Sequence, residues 1–222
     1  MTGPDPLFPY LEENIQFQFP DPLNADGNIV AMGGNLSPGM LLSAYEQGIF
    51  PWYNEDEPVL WQSPDPRLVI FPHTLHFSRT MKKILERSDF EISINGDFNG
   101  VIRGCSEVHR PGQEGTWITE DIIKGFSELH RLGYVISAES RKDGQIAGGC
   151  YGLLIGKVFC GESMFAKVPN ASKAAFLTLA RYLFNERAVQ FIDCQVPTKH
   201  LISLGGVVIS RKEFLKLLKK YR

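Results

Sequence analysis

Residues Tyr134–Phe165 read YVISAESRKDGQIAGGCYGLLIGKVFCGESMF, and this run decides how the chain folds. It is apolar and rich in small residues, with breaks at RKDGQ and near LLIGK, where Asp and Gly supply turns. Consecutive strands joined by such short turns run antiparallel. Upstream, RLVIFP (67–72) and FEISINGD (90–97) read as further strands, and SRTMKKILERS (78–88) as a basic helix capped by Ser78. FNGVIRGCSEV reads as a short helix, and ITEDIIKGFSELHRLG as an amphipathic one with Thr119 as cap and Gly133 as stop. Downstream, NASKAAFLTLARYLFNERA is a helix capped by Asn170 or Ser172, VQFIDCQV a strand, and SRKEFLKLLKKYR a terminal helix. Antiparallel strand pairs with helices between them give an α+β class, a mixed and mostly antiparallel sheet with helices packed on it.

The first 66 residues have another texture. GPDPLFPY, FPDPLN, GGNLSPG and FPWYNEDEPVLWQSPDP are turn-rich, and one helix, SPGMLLSAYEQG, stands among them. Ser37 is its expected N-cap, Pro38 occupies the first helical position and Gly48 stops it. Met40, Leu41, Ala44 and Tyr45 supply its apolar face. The chain therefore divides into a small N-terminal domain, 1–66, too short to bury a large core of its own, and a larger domain, 67–222.

Charge follows the same division. Residues 1–66 carry ten carboxylates and no Lys or Arg, while residues 67–222 carry a net +8. Such asymmetry suits a polyanionic partner, or two surfaces of opposite sign that help the parts dock. Overall, 43% hydrophobic and 22% charged residues are those of a globular protein, with no apolar run long enough to span a bilayer and no signal-peptide pattern at the start. A cytosolic protein is expected. Four cysteines without a CxxC pair and five histidines without metal-ligand spacing argue against a disulfide framework or a metal site. Neither G-x-x-x-x-G-K-[ST] nor G-x-G-x-x-G occurs, so no nucleotide cofactor is implied.

Within VFCGESMF (158–165) a thiol, a carboxylate and a hydroxyl lie close together. Cys160 is a nucleophile only if one of His76, His109, His130 or His200 activates it, and CGES is not the G-x-S-x-G elbow. A cysteine inside a strand is more often a small buried hydrophobe. Carboxylates carry more information. Glu162 and Asp193 both sit in otherwise apolar strands, where an unpartnered charge is costly. A structural salt bridge would explain either one alone. Two in neighbouring strands, with Gln195 two positions beyond Asp193 and so on the same face, indicate a polar site suited to orienting an amine. Trp52, Trp61 and Trp117 lie in loops, where they cap the core or wall a pocket. Arg79, Lys82 and Lys83 share one helical surface, and the terminal helix adds Arg211, Lys212, Lys216, Lys219, Lys220 and Arg222; both are solvated faces or phosphate-binding ones.

The blocks GNIVAMGGNLSPGMLLSAYEQGIFPWY, LWQSPDPRLVI, FSRTMKK, EGTWIT, GGCYG, FCGESMF, NASK and FIDCQ, in this order from Gly27 to Leu204, resemble the bacterial leucyl/phenylalanyl-tRNA–protein transferase family. That resemblance implies a GNAT-type acyltransferase fold for the larger domain and no metal or nucleotide cofactor. It also implies transfer of Leu, Phe or, less well, Met from aminoacyl-tRNA to an N-terminal Arg or Lys of an acceptor protein, marking that protein for the N-end rule degradation pathway; a monomer is expected. The implied catalytic residues are Asp193, which orients or polarises, and Gln195, which meets the attacking α-amine. Trp52, Trp117, Glu162 and Met164 match positions around the aminoacyl-adenosine, with Met164 and Phe176 as walls for the Leu or Phe side chain. Arg79, Lys82 and Lys83 would hold the acceptor stem. The proton acceptor is either a protein group or the tRNA's own ribose hydroxyl. Cys150 in GGCYG departs from the family's usual methionine, which is expected to alter the pocket floor, and the unusually basic terminal helix is expected to take some tRNA contact.

Overall fold

The computed structural model describes residues 2–108 and 116–222; His109 and the first two residues of EGTWIT lie outside them. The N-terminal part contains β1 (Ile29–Met32), α1 (Pro38–Glu46), β2 (Phe50–Pro51) and β3 (Leu60–Gln62). Then come β4 (Arg67–Ile70), α2 (Arg79–Glu86), β5 (Glu91–Ile94), α3 (Phe98–Glu107) and α4 (Glu120–Arg131). The run that opened the sequence reading forms β6 (Val135–Lys142), β7 (Gln145–Ile155) and β8 (Val158–Ala166). After it follow α5 (Ala171–Glu186), β9 (Phe191–Asp193), α6 (Lys199–Ser203), β10 (Val207–Ile209) and α7 (Arg211–Tyr221).

The expected α+β class is found. A three-stranded sheet has the order β1-β3-β2, and a seven-stranded sheet has the order β10-β4-β9-β8-β7-β6-β5. Every pair of the large sheet is antiparallel except β8 with β9. Asp143 and Gly144 make the β6–β7 turn with φ of 51° and 75°, the double left-handed turn that matches strand twist. Both faces of the sheet are covered, which is why its strands read as continuous apolar runs. Val69, Tyr151, Leu153, Cys160 and Phe191 face one apolar layer, and Leu68, Ile70, Cys150, Phe159 and Ile192 the other. Helices α3 and α4 pack on the first side, α5 with α2 on the second.

Residues 1–66 build no separate core. Phe19, Met40, Leu41, Tyr45 and Trp61 belong to one buried cluster with Phe126, Phe191 and Phe214. Helix α1 is buried on every side from Pro38 to Tyr45, so its apolar residues are not confined to one face. Among the described residues no ion pair joins an acid of 1–66 to a base of 67–222. Instead Arg211 donates to the carbonyls of Pro22 (2.5 Å) and Gly27 (2.6 Å), and Arg222 donates to that of Glu46. Arg211, the first residue of α7, and Arg222, just beyond its end, are thereby tied to the N-terminal part.

Three local expectations need correction. Ser37 occupies the N-cap position of α1, but its hydroxyl donates to Asn35 Oδ1 (2.6 Å) and accepts from Leu11 N (3.1 Å), tying down the preceding loop instead of capping. Asn170 occupies the N-cap of α5 with φ 71° and makes no side-chain cap, and Ser172 lies inside the helix. VQFIDCQV contributes only Phe191–Asp193 to the sheet, because the chain turns at Gln195, φ 54°. Strand alternation therefore does not relate Asp193 to Gln195. By contrast Ser78 and Thr119 accept from Met81 N and Ile122 N as capping residues should.

Candidate active site

The site arises where the parallel pair stops. Strands β8 and β9 are paired at Val158–Phe191, Phe159–Ile192 and Cys160–Asp193. Then β9 ends, while β8 continues to Ala166 paired only with β7. Past Cys160 the two chains part, and a cavity of about 410 Å³ opens between Gly161–Met164 on one side and Cys194–Val196 on the other. Crevices beyond the carboxyl ends of parallel strands are where open sheets bind ligands. Phe50, Trp52, Trp117, Phe159 and Phe176 make most of the remaining wall, with Thr198, His200 and Leu201 at one side. Volume and apolar lining suit a small-molecule group with a few fixed polar contacts.

Those polar contacts bridge the gap. Gln195 Nε2 donates to Glu162 Oε1 across it at 3.3 Å. Glu162 is partly exposed to the cavity, yet the protein around its carboxyl pushes its pKa from the usual 4.5 up to about 8 by desolvation. The buried Tyr45 hydroxyl lies against the same carboxyl and counters the rise. At neutral pH Glu162 is therefore largely protonated. Asp193 behaves differently. It is fully buried and does not line the cavity; both its oxygens accept from Arg67, Nε to Oδ1 at 2.8 Å and Nη2 to Oδ2 at 2.6 Å. Asp193 Oδ1 also accepts from the backbone N–H of Gln195 at 3.0 Å.

The structure thus gathers Trp52, Trp117, Glu162, Met164, Phe176 and Gln195 around one cavity, sets Asp193 just behind it, and leaves Arg79, Lys82 and Lys83 apart from it on the exposed surface of α2. Cys150 lies directly across the β7–β8 ladder from Met164, and both line the cavity. Cys160 is 1% exposed, and burial, followed by the Asp193 charge, holds its thiol well above the usual range, which counts against a nucleophilic role. Sequence reasoning did not assign Phe50, Tyr45 or Arg67 to the site, and it considered His200 only as a partner for Cys160. Phe50 and Tyr45 belong to the GIFPW and MLLSAYEQG blocks, where core and site residues look alike. His200 lies on α6, a helix of five residues with little periodicity to announce it.

An α+β sheet whose parallel pair parts into an apolar cavity, with a carboxamide and a carboxyl across the gap, has room for an apolar acyl group and polar groups to order an incoming amine beside it, as an acyltransferase needs. Which acyltransferase follows from the chain's relatives. The leucyl/phenylalanyl-tRNA protein transferase family model matches residues 69–219, and the model of that family's N-terminal domain matches residues 34–65. A leucyl/phenylalanyl-tRNA–protein transferase of Hahella chejuensis is 47% identical over 214 residues, covering 96% of this chain and 91% of its own. The one from Flavobacterium johnsoniae is 48% identical over 202 residues, covering 90% and 95%. The chain belongs to the leucyl/phenylalanyl-tRNA protein transferase family, a family of aminoacyltransferases. Among solved structures, a GCN5-related N-acetyltransferase from Kribbella flavida is 10% identical with a TM-score of 0.42, over 78% of this chain and 62% of its own. No helix of the described residues is long and apolar enough to cross a membrane.

Proposed function

We propose that this protein transfers Leu or Phe, and Met less well, from aminoacyl-tRNA to the N-terminal Arg or Lys of acceptor proteins, creating an N-degron for the bacterial N-end rule pathway. In this reading it works in the cytoplasm as a monomer, without metal or nucleotide cofactor. One observation carries the site assignment: Gln195 reaches Glu162 across the break in the parallel strand pair of the large sheet, at the wall of an apolar cavity. The aminoacyl side chain lies against Met164 and Phe176, and the adenosine end against Trp52 and Trp117. An apolar pocket separates side chains by only about 1–3 kcal/mol per methylene, which suits a donor set of Leu, Phe and Met. Arg79, Lys82 and Lys83 hold acceptor-stem phosphates with little base readout.

The donor ester is already activated, so placement and charge stabilisation suffice. The acceptor's neutral α-amine, oriented by Gln195, attacks the ester carbonyl carbon; the bond to the ribose oxygen breaks as the amide forms. Glutamine is too weak a base to keep the amine's proton, which passes to the ribose oxygen of the leaving tRNA. Glu162, protonated at neutral pH, places no second negative charge beside the developing oxyanion. Asp193 orients Gln195 and does not touch the substrate. The test is to mix the protein with tRNA carrying labelled Phe and a peptide beginning with Arg or Lys. Label should enter these peptides and not one beginning with Ala, and no transfer at any salt concentration would overturn the proposal.

A further inference from the structure

Gln195 stands at φ 54°, in the left-handed region that side chains other than glycine enter at a cost. It reaches Glu162 only while held there. Two hydrogen bonds hold its backbone: the N–H donates to Asp193 Oδ1 at 3.0 Å, and the carbonyl accepts from Leu68 N at 2.9 Å. Asp193 is in turn held by one residue. Arg67 gives it both arms of its fork, and the oxygen that receives Nε is the same Oδ1 that receives the Gln195 N–H. A third arm donates to the carbonyl of Gly48 at 3.3 Å. The guanidinium lies between the rings of Phe50 and Phe214, 5.0 and 4.2 Å from their centroids, and Phe50 is itself a wall of the cavity. Arg67 and Asp193 are 1% and 0% exposed, and neither lines the cavity.

We propose that Arg67 is a positioning residue for the transfer, acting through Asp193 on Gln195; the assignment rests on the role given to Gln195 above. A buried ion pair adds little to stability over well-packed apolar residues, so stability alone is a weak reason for this one. Its geometry supplies a better one. Only a planar fork holds both carboxylate oxygens in one plane and leaves Oδ1 aimed at the next amide but one. A lysine keeps the charge and loses the fork. The carboxylate is then free to rotate, and Gln195 leaves the position from which it meets the amine.

The experiment compares the wild type with Arg67→Lys, Gln195→Ala and the double variant, measuring kcat and the donor KM with Phe-tRNA and an Arg-led peptide. Arg67→Lys should lower kcat by roughly 10²-fold, the scale of a misplaced reacting group, with donor KM nearly unchanged. A residue acting through Gln195 must be non-additive with it, so the double variant should be no slower than Gln195→Ala alone. Unchanged kcat in Arg67→Lys, or losses that multiply in the double variant, would overturn the assignment. If Arg67→Lys does not fold, hydrogen exchange of the Gln195 amide in the wild type decides: protection equal to that of the β9 amides is expected, and rapid exchange contradicts the clamp. Full activity of Gln195→Ala would instead remove the role of Gln195 on which the assignment stands.

Discussion

Glu162 shows how one residue's surroundings set what it can do. Its carboxyl is charged in the unfolded chain above pH 4.5 but stays protonated in the folded one up to about 8. Between those values the folded state binds more protons than the unfolded state, so stability is full at low pH and falls as pH rises towards 8, then levels off. Glu162→Gln removes this group's contribution. Its melting temperature is expected to match the wild type near pH 4.5 and to exceed it progressively up to pH 8, which calorimetry across that range would show; a constant difference would mean Glu162 is charged when folded. The carboxylates were legible in the sequence because apolar strands contain few charges. Their partners were not. Arg67 lies 126 residues from Asp193, and nothing local in RLVIFP distinguishes a clamp from a strand's first residue. Strand alternation does not place Gln195: β9 ends at Asp193, and the turn that follows, closed by the aspartate's own side chain, brings the carboxamide to the cavity.

At the scale of elements, periodicity and stop signals located most helices and strands, while capping chemistry followed the sequence at some helix starts and not at others. Ser78 and Thr119 cap; Ser37 is drawn away by Asn35, two residues before it, and by Leu11, a contact made only on folding and invisible to spacing. Gly48 marks the end of α1 for two reasons, φ of 77° and a Cβ position already filled by Leu215 and Phe214 of α7. Gly48→Ala should therefore cost about 1–3 kcal/mol, seen as a lower urea midpoint at unchanged m-value. An unaffected midpoint would mean that α7 does not press on this turn. Helix α2 tests the RNA reading. Arg79, Lys82 and Lys83 are exposed, and none of them is in an ion pair among the described residues. Lys82→Ala and Lys83→Ala should each weaken tRNA binding and lower the slope of log affinity against log salt by roughly 1, with the donor side-chain preference unchanged. A slope equal to that of the wild type would move the acceptor stem elsewhere. On α7, Lys212, Lys216, Lys219 and Lys220 are exposed, but Arg211 and Arg222 hold the N-terminal part, which reduces the basic surface the sequence promised.

For the molecule as a whole, the division into an acidic and a basic part describes composition better than cohesion. One continuous core runs from Phe19 through Tyr45 to Phe214, and the residues linking the two parts to the site, Phe50 and Arg67, sit where they join. The N-terminal part thus supplies cavity wall in Phe50 and Trp52 as well as the Tyr45 hydroxyl beneath Glu162. The α+β class and the family blocks were readable from the sequence; the cavity was not, because it is made by the absence of pairing between β8 and the chain after β9, and no residue type signals a ladder that stops. The central claim is that the acyl group passes directly from the tRNA ester to the acceptor's amine, with the protein giving position and no covalent intermediate. A rapid acid quench of a single turnover, with labelled Phe-tRNA and an Arg-led peptide, tests it most directly. Label is expected to move from tRNA to peptide without appearing on the protein, in the wild type and in Cys160→Ala alike, and to move far more slowly in Gln195→Ala. Label trapped on the protein before it reaches the peptide, and lost on substitution of Cys160, would contradict the account.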